Sequence, residues 1–180
     1  MAKKKPEKEF SRMFALADLG EGEAVVTLVA DSNERVALAR RFGVAALEAL
    51  TATVRLKREN GGAVRLRAHF VAEVTQACVV TLEPVASRID DDFEVLFAPE
   101  AALLDDEIVI STANDDVPEP LADDSIDLGE VIAEHFGLAL DPYPRRAGAV
   151  FTGSGTGAEG DDPDRAGSPF AAIRKLSPGG

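Results

Sequence analysis

Two neighbouring stretches of alternating apolar and polar residues constrain the fold of this chain more than any other feature. Residues 47–58 and 64–74 both alternate with a period of two, which is typical of a β-strand with one buried face. Between them lies Asn60-Gly61-Gly62, whose residues tolerate the positive φ angles of a tight hairpin turn. The pattern predicts an antiparallel hairpin with one apolar and one polar face. The polar face carries five basic side chains: Arg55, Lys57, Arg65, Arg67 and His69.

A strand and a helix are predicted before the hairpin. Residues 23–30 are rich in β-branched residues and predict a strand. The following helix can be capped by Asp31 or Ser32, whose side-chain oxygens accept hydrogen bonds from first-turn amides, and Gly43 is its predicted end.

After the hairpin, the β-rich pattern continues from Val74 to Leu82, where Pro84 is expected to interrupt it. A further strand is predicted at 93–97. Residues 99–125 are rich in proline and aspartate and predict an exposed loop that contains a short strand at 107–111.

A second helix is predicted to begin after Asp127 and to end before Pro142. Asp127 and Glu130 have the spacing of a capping-box-like pair. His135 lies on the apolar side, which favours a hydrogen-bonded core or rim histidine over a catalytic one. The predicted apolar stripe contains Leu128, Val131, Ile132, His135, Phe136 and Leu138.

Together these elements predict an α+β fold: a curved antiparallel sheet of five or six strands, flanked by two main helices. Partial closure toward a barrel is left open, because strongly twisted sheets tend to curl. We predict a disordered N-terminus at 1–12, a single domain at 13–146, a flexible linker at 147–167 and a C-terminal amphipathic segment at 168–180.

The charge of the chain is strongly uneven. The net charge is −13, yet residues 83–141 alone contain eighteen Asp and Glu against one Arg. Such a block repels phosphates, so the chain as a whole does not resemble a general nucleic-acid binder. The acidic residues either keep the surface soluble or meet a partner with a basic surface.

Cysteine content and hydropathy favour a cytoplasmic protein without a membrane segment. A single cysteine excludes an intramolecular disulfide framework. No apolar run approaches the roughly 20 residues of a membrane helix, and the basic start, residues 1–6, lacks the apolar stretch of a signal peptide.

The residues do not assemble a recognisable catalytic or metal site. His69 and His135 are far apart in sequence, and the zinc, P-loop and nucleophile-elbow patterns are missing. Glycines at 153–160 open no predicted helix and are interpreted as linker. We therefore predict no enzyme activity, no metal, no cofactor and no small-molecule substrate.

Cys78 is interpreted as a small buried residue. The period of two that runs from Val74 turns Gln76, Cys78 and Val80 toward the core. The alternative, a reactive thiolate, needs a nearby base or helix N-terminus, and the local sequence supplies neither.

The basic hairpin face is the best candidate binding surface. Alternation gathers Arg55, Lys57, Arg65, Arg67 and His69 on one side, where they can engage phosphates. The alternative is a solvated strand face, paired with the acidic segment of the same chain. Aromatic platforms are missing from the patch, which argues against sequence reading on single strands.

Three blocks of the sequence resemble the YceD family of large ribosomal RNA subunit accumulation proteins. The first block, at 78–99, resembles a family strand with a Cys-x-x-Cys pair, in which Cys78 matches the first cysteine and Thr81 replaces the second. Its other matching residues are Pro84, Val85, Asp92, Phe93 and Phe97. The second block matches at Ile126, Asp127, Leu128, Glu134, Leu138, Leu140 and Pro144. The third matches at Pro169, Phe170 and Leu176.

The resemblance implies a role in accumulation or processing of 23S rRNA, and so in assembly of the bacterial large ribosomal subunit, without catalysis. The partner is then rRNA, met by the basic face, or a basic ribosomal protein, met by the acidic block. The alternative function is a protein–protein adaptor that uses its acidic surface and C-terminal segment without contacting RNA. A hydrolase or metal-dependent enzyme is the third hypothesis.

Overall fold

A computed structural model describes residues 9–99, 118–121 and 124–150 of the chain. These ranges contain seven strands and two α-helices. The strands are β1 (Met13–Ala15), β2 (Glu23–Val29), β3 (Ala46–Arg58), β4 (Val64–Ala77), β5 (Pro84–Pro99), β6 (Glu119–Leu121) and β7 (Ser125–Asp127). The helices are α1 (Ser32–Phe42) and α2 (Leu128–Ala139).

The sheet confirms the predicted α+β class. Five strands lie in the order β2-β3-β4-β5-β6, all antiparallel except for the parallel pair of β5 and β6, while β1 and β7 form a separate antiparallel pair. Closure into a barrel would require the two edge strands to pair. Since β2 and β6 are not paired with each other, the sheet formed by the described residues is not closed, and closure toward a barrel is not supported.

The predicted hairpin is present as β3 and β4. Gly61 and Gly62 in its turn have φ angles of 72° and 79°, the left-handed region that glycine adopts without steric cost. The register places Arg55 opposite Arg67 and Lys57 opposite Arg65. The alternation along these strands therefore predicted correctly that the basic side chains share one face.

Helix α1 forms where its capping signals predict it. The carboxylate of Asp31 accepts hydrogen bonds from the amides of Asn33 and Glu34, and the carboxylate of Glu34 accepts from the amide of Asp31. This reciprocal pair is a complete capping box. Gly43 ends the helix with a φ of 66°.

Helix α2 begins after Asp127 and ends before Pro142, as predicted. Asp127 caps it by accepting from the amide of Glu130 at 3.3 Å, but the carboxylate of Glu130 is bound by Arg41 at 2.7 Å rather than completing a capping box. Leu138, predicted on the apolar stripe, is 81% exposed, because it lies in the last turn on the side away from the core.

The strand after the hairpin differs most from the prediction. β4 ends at Ala77 instead of continuing to Leu82, and Pro84 begins β5 rather than interrupting a strand. A proline is tolerated at the first residue of a strand because its missing amide is not needed there. β5 then runs for 16 residues, so the predicted strand at 93–97 is only its last part.

Both helices cover one face of the sheet, which we call the inner face. A single core cluster joins the inward side chains of β3, β4 and β5 to the apolar sides of α1 and α2. Phe42 of α1 meets Phe136 of α2 edge to face at 5.4 Å. Phe10, within the segment predicted as disordered, is also buried in this cluster.

Several predictions concern residues outside the described ranges. These are most of the N-terminal segment 1–12, the short strand at 107–111, the linker beyond residue 150 and the amphipathic segment at 168–180. The domain boundaries and the C-terminal segment therefore stay predictions.

Candidate functional site

The five basic side chains of the hairpin share the face of the sheet opposite the helices, which we call the outer face. Arg55 and Arg67 lie in register, Lys57 and Arg65 lie in register, and His69 lies opposite a threonine of β3. An open concavity of about 640 Å³ lies on this face, and Arg55, Arg67 and His69 contribute to its lining. The sequence thus identified the members of the patch and their common surface.

Carboxylates from neighbouring strands and from the hairpin loop form ion pairs with the basic side chains of this patch. Glu94 of β5 lies between Arg65 and Arg67 and accepts hydrogen bonds from both guanidinium groups. The hydrogen bond from Arg67 and the proximity of Arg65 lower the pKa of Glu94 despite its partial burial. Arg65 is also bound by Glu59 at 3.0 Å, and Arg55 is bound by Glu23 at 3.0 Å.

His69 faces two more carboxylates. Its Nδ1 lies 3.2 Å from an oxygen of Asp92, and its Nε2 lies 3.7 Å from an oxygen of Asp90. Four of the five basic groups are therefore engaged by acids of the same chain. The outer face is a compensated ionic surface, and phosphates would have to compete with carboxylates already in place.

The sequence revealed the basic groups but not these acids as their partners. Glu23, Glu59 and Glu94 are separated from the arginines by 6 to 32 positions. Their pairing depends on strand order and register, which alternation along one strand does not specify. The general acidity of residues 83–141 was the only signal that pointed to it.

Cys78 is fully buried, as predicted, but it lies in the turn between β4 and β5 rather than in a strand. The segment after α2 crosses this turn. The amide of Val79 donates to the carbonyl of Pro144 at 2.9 Å, and the amide of Arg146 donates to the sulfur of Cys78 at 3.4 Å. The guanidinium of Arg146 binds Glu83 at 2.6 Å. The first and second motif blocks therefore meet at this turn.

The environment of the thiol differs from the sequence interpretation. The hydrogen bond from the Arg146 amide, followed by one from the Thr81 hydroxyl, lowers the pKa of Cys78 to about 7, although desolvation opposes the shift. Thr81, which stands where the resemblance places a second cysteine, thus contributes to the environment of Cys78. The donors come from the turn itself and from a segment 68 positions away.

We expect the thiol of the folded chain to titrate with a midpoint of about 7, well below its ordinary 9.0. Because the folded pKa is lowered, the thiolate's contribution to stability is complete above pH 9.0 and is lost as the pH falls through 7. Ultraviolet thiolate absorbance measures the midpoint, and Cys78→Ser supplies the blank. Thr81→Ala should raise the midpoint by removing one donor. A wild-type midpoint near 9 would contradict the assigned hydrogen bonds.

The remaining motif residues join β5 to α2 and α2 to the N-terminus. The ring of Phe93 stacks on His135 at 3.5 Å between centroids, with only 7° between the planes. Nδ1 of His135 lies 3.0 Å from the carbonyl oxygen of Val131, so His135 is a packed rim residue. Leu128 is buried in the core and Glu134 is exposed. Pro169 and Phe170 lie outside the described residues.

Asp127 is the centre of the junction with the N-terminus. Its carboxylate accepts from the amide of Arg12 at 2.8 Å and from the hydroxyl of Ser11 at 2.8 Å, in addition to capping α2. The amide of Leu128 donates to the carbonyl of Arg12 at 2.9 Å. The role of this motif residue in the structure is therefore to attach β1 to the start of α2.

Neither a metal centre nor a membrane span is found in the part of the chain that the structure describes. No group of three or more His, Cys, Asp or Glu residues there is arranged to hold a metal ion. No helix there is long and apolar enough to cross a membrane.

The open sheet with two helices on one face defines a small α+β protein whose sequence motifs converge on the β4–β5 turn and the start of α2. A family model described as "Large ribosomal RNA subunit accumulation protein YceD" matches residues 66–177, which include both convergent blocks. The chain belongs to the YceD family. Searches of curated proteins and of solved structures found no match.

Proposed function

We propose that this chain is a non-enzymatic, cytoplasmic factor that supports accumulation or processing of 23S rRNA during assembly of the large ribosomal subunit. The observation that carries the proposal is the family match over residues 66–177, whose description concerns large ribosomal RNA subunit accumulation. In the described residues, the motif side chains cap a helix, stack and pack in the core. These structural roles support a function through binding rather than through catalysis.

Depletion of the protein in its host tests this function. We expect the ratio of 23S to 16S rRNA to fall and precursors of the large subunit to accumulate, and both should recover when the wild-type chain is restored. Gradient sedimentation and quantification of the two rRNAs measure the effect. An unchanged ratio under full depletion would contradict the proposal. Complementation by a variant with His135→Ala would support the absence of a catalytic role for that residue.

The mode of contact is a separate question, and the ion pairs of the outer face favour a protein partner over RNA. Each guanidinium of Arg55, Arg65 and Arg67 is held by a carboxylate of the same chain. A phosphate contact would have to break such a pair before gaining the counterion release that drives RNA binding. This observation supports the alternative of an adaptor whose acidic surface meets a basic protein.

We expect Glu94→Gln to tighten RNA binding by the purified chain about two- to fivefold at low salt, because it releases Arg67 and removes one of the two carboxylates that hold Arg65. Fluorescence anisotropy with a 23S rRNA fragment over a salt series measures this. Glu134→Gln, an exposed site on α2, is the control with the same change in charge.

The reverse variant replaces Arg55, Lys57, Arg65 and Arg67 with Ala. If the patch contacts RNA, this variant binds more weakly and with a flatter salt dependence. If binding does not change, the patch is excluded as the contact and the adaptor mode is favoured.

A further inference from the structure

Within the described part of the chain, one edge of β5 is unpaired over most of its length. β4 pairs with β5 from Pro84 to Phe97 on one side, whereas β6 pairs only with Phe97–Pro99 on the other. Among the described residues, nothing pairs with 84–96 on that second side. Long exposed edges are normally covered or blunted, because their amide and carbonyl groups can accept a further strand. This edge is therefore a candidate site for strand addition.

The hydrogen bonds at Asp92 agree with this description. Its amide donates to the side chain of Asp91 at 2.9 Å. Such a local acceptor is easily replaced, since a partner carbonyl can take the amide while the carboxylate of Asp91 turns to solvent. The Asp92 amide thus has an acceptor from its own strand, and it can exchange that contact for a bond to an added strand.

Charge distinguishes the possible occupants of the edge. Asp90, Asp91 and Asp92 follow one another along it, all three are exposed, and the side chain of Asp92 is 82% accessible. Because consecutive residues of a strand point to opposite faces, an added strand would meet carboxylates on both of its faces. The nearest bases, His69 and Arg88, each engage a member of this run.

Three occupants are disfavoured by the same charge. A second copy paired antiparallel about this run would place aspartates against aspartates. The second possible occupant, the chain's own segment 100–117, contains six Asp and Glu and no Lys or Arg, so it would also bring negative charge to the edge. A nucleic acid would bring phosphates to the carboxylates. A strand that carries Lys or Arg at consecutive positions reverses each of these repulsions.

We infer that the free edge of β5 binds an extended, Lys- and Arg-bearing segment of a partner protein as an added antiparallel strand. Backbone hydrogen bonds provide the attachment, and Asp90, Asp91 and Asp92 select for a basic sequence at that position. The inference rests on the proposed function only for the suggestion that the partner belongs to the large subunit. Binding itself is a property of the purified chain and is tested there.

The probe is a short acetylated and amidated peptide in which Lys-Arg-Lys is flanked by alternating Thr and Val. We expect saturable binding to the full chain, weakened at least about tenfold when Asp90, Asp91 and Asp92 are all replaced by Asn. Asn keeps the size and the acceptor oxygen, so the fold should remain. The matched control replaces Asp18, Glu21 and Glu134 by their amides, which removes the same charge away from β5 and should leave at least most of the affinity.

A second measurement separates strand addition from charge attraction. Peptides with N-methyl groups on alternate amides keep their charge, but the methyl groups prevent backbone hydrogen bonding along one of the two edges of the extended peptide. We expect one N-methylated set to lose binding and the other to retain it, with new amide-exchange protection confined to the β5 edge around Asp92. Equal binding by both sets, equal loss in the control triple variant, or chain dimerisation in place of peptide binding would overturn the inference. None of these outcomes depends on the depletion phenotype.

Discussion

Asp127→Ala is expected to lower the free energy of unfolding by roughly 2–4 kcal/mol. The cap on α2 accounts for about 1 kcal/mol, and leaving the part-buried amide of Arg12 without its acceptor accounts for roughly 1–3 kcal/mol more. Urea unfolding monitored by circular dichroism measures the change. The effect is large for a single side chain because Asp127 accepts hydrogen bonds both from the first turn of α2 and from the segment that precedes β1.

Asp127→Asn is the matched control, because the amide oxygen can still cap the helix and accept from Arg12. We expect it to lose less than half of what Asp127→Ala loses. If the two variants were equally unstable, the negative charge rather than the acceptor geometry would be responsible. In cells, a defect of Asp127→Ala that follows the loss of folded protein would identify this motif residue as structural.

Gly129→Ala is expected to destabilise the protein by about 1–3 kcal/mol, although alanine is normally the better helix residue. A Cβ at this position would lie 2.6 Å from the carbonyl oxygen of Phe10 and 3.0 Å from the amide nitrogen of Arg12. Both are backbone atoms, so the clash cannot be relieved by a side-chain rotation. The N-terminal strand or the helix would have to move.

Gly22→Ala is the comparison, since a Cβ there meets nothing within 4 Å. We expect its unfolding to match the wild type within experimental error. Protection of the α2 amides against hydrogen exchange should fall in Gly129→Ala and remain in Gly22→Ala. A stable Gly129→Ala chain with undisturbed α2 protection would mean that the N-terminal segment does not pack closely on this helix.

The hairpin and both helices could be predicted because their signals are local. A period of two, two consecutive glycines and a cap such as Asp31 each act within a few residues, and the structure confirms them. The short strands β1, β6 and β7 have only three residues each, too few for a period to be visible. They are held by pairing with distant partners, which a single sequence does not reveal.

The errors around β5 have a similar physical origin. The run from Asp90 to Asp92 interrupts the apolar alternation, and aspartate has a low strand propensity. The sequence therefore predicted a break in the strand at this run, whereas in the structure β5 continues through it alongside β4. The basic patch was predicted on the correct face, but its compensation by Glu94 was not. That contact exists only because β5 lies beside β4 in one particular alignment.

Glu94 therefore also restricts how β5 can align with β4 during folding. A shift by two residues keeps every side chain on its proper face, so hydrophobic burial alone discriminates poorly against it. In the native register Glu73 lies opposite Arg88. A shift in one direction would instead set Glu73 against Asp90, which is repulsive, and would leave Arg67 facing Leu96 without its opposite charge. The charge pairs on the outer face thus disfavour one shifted register of β5 against β4.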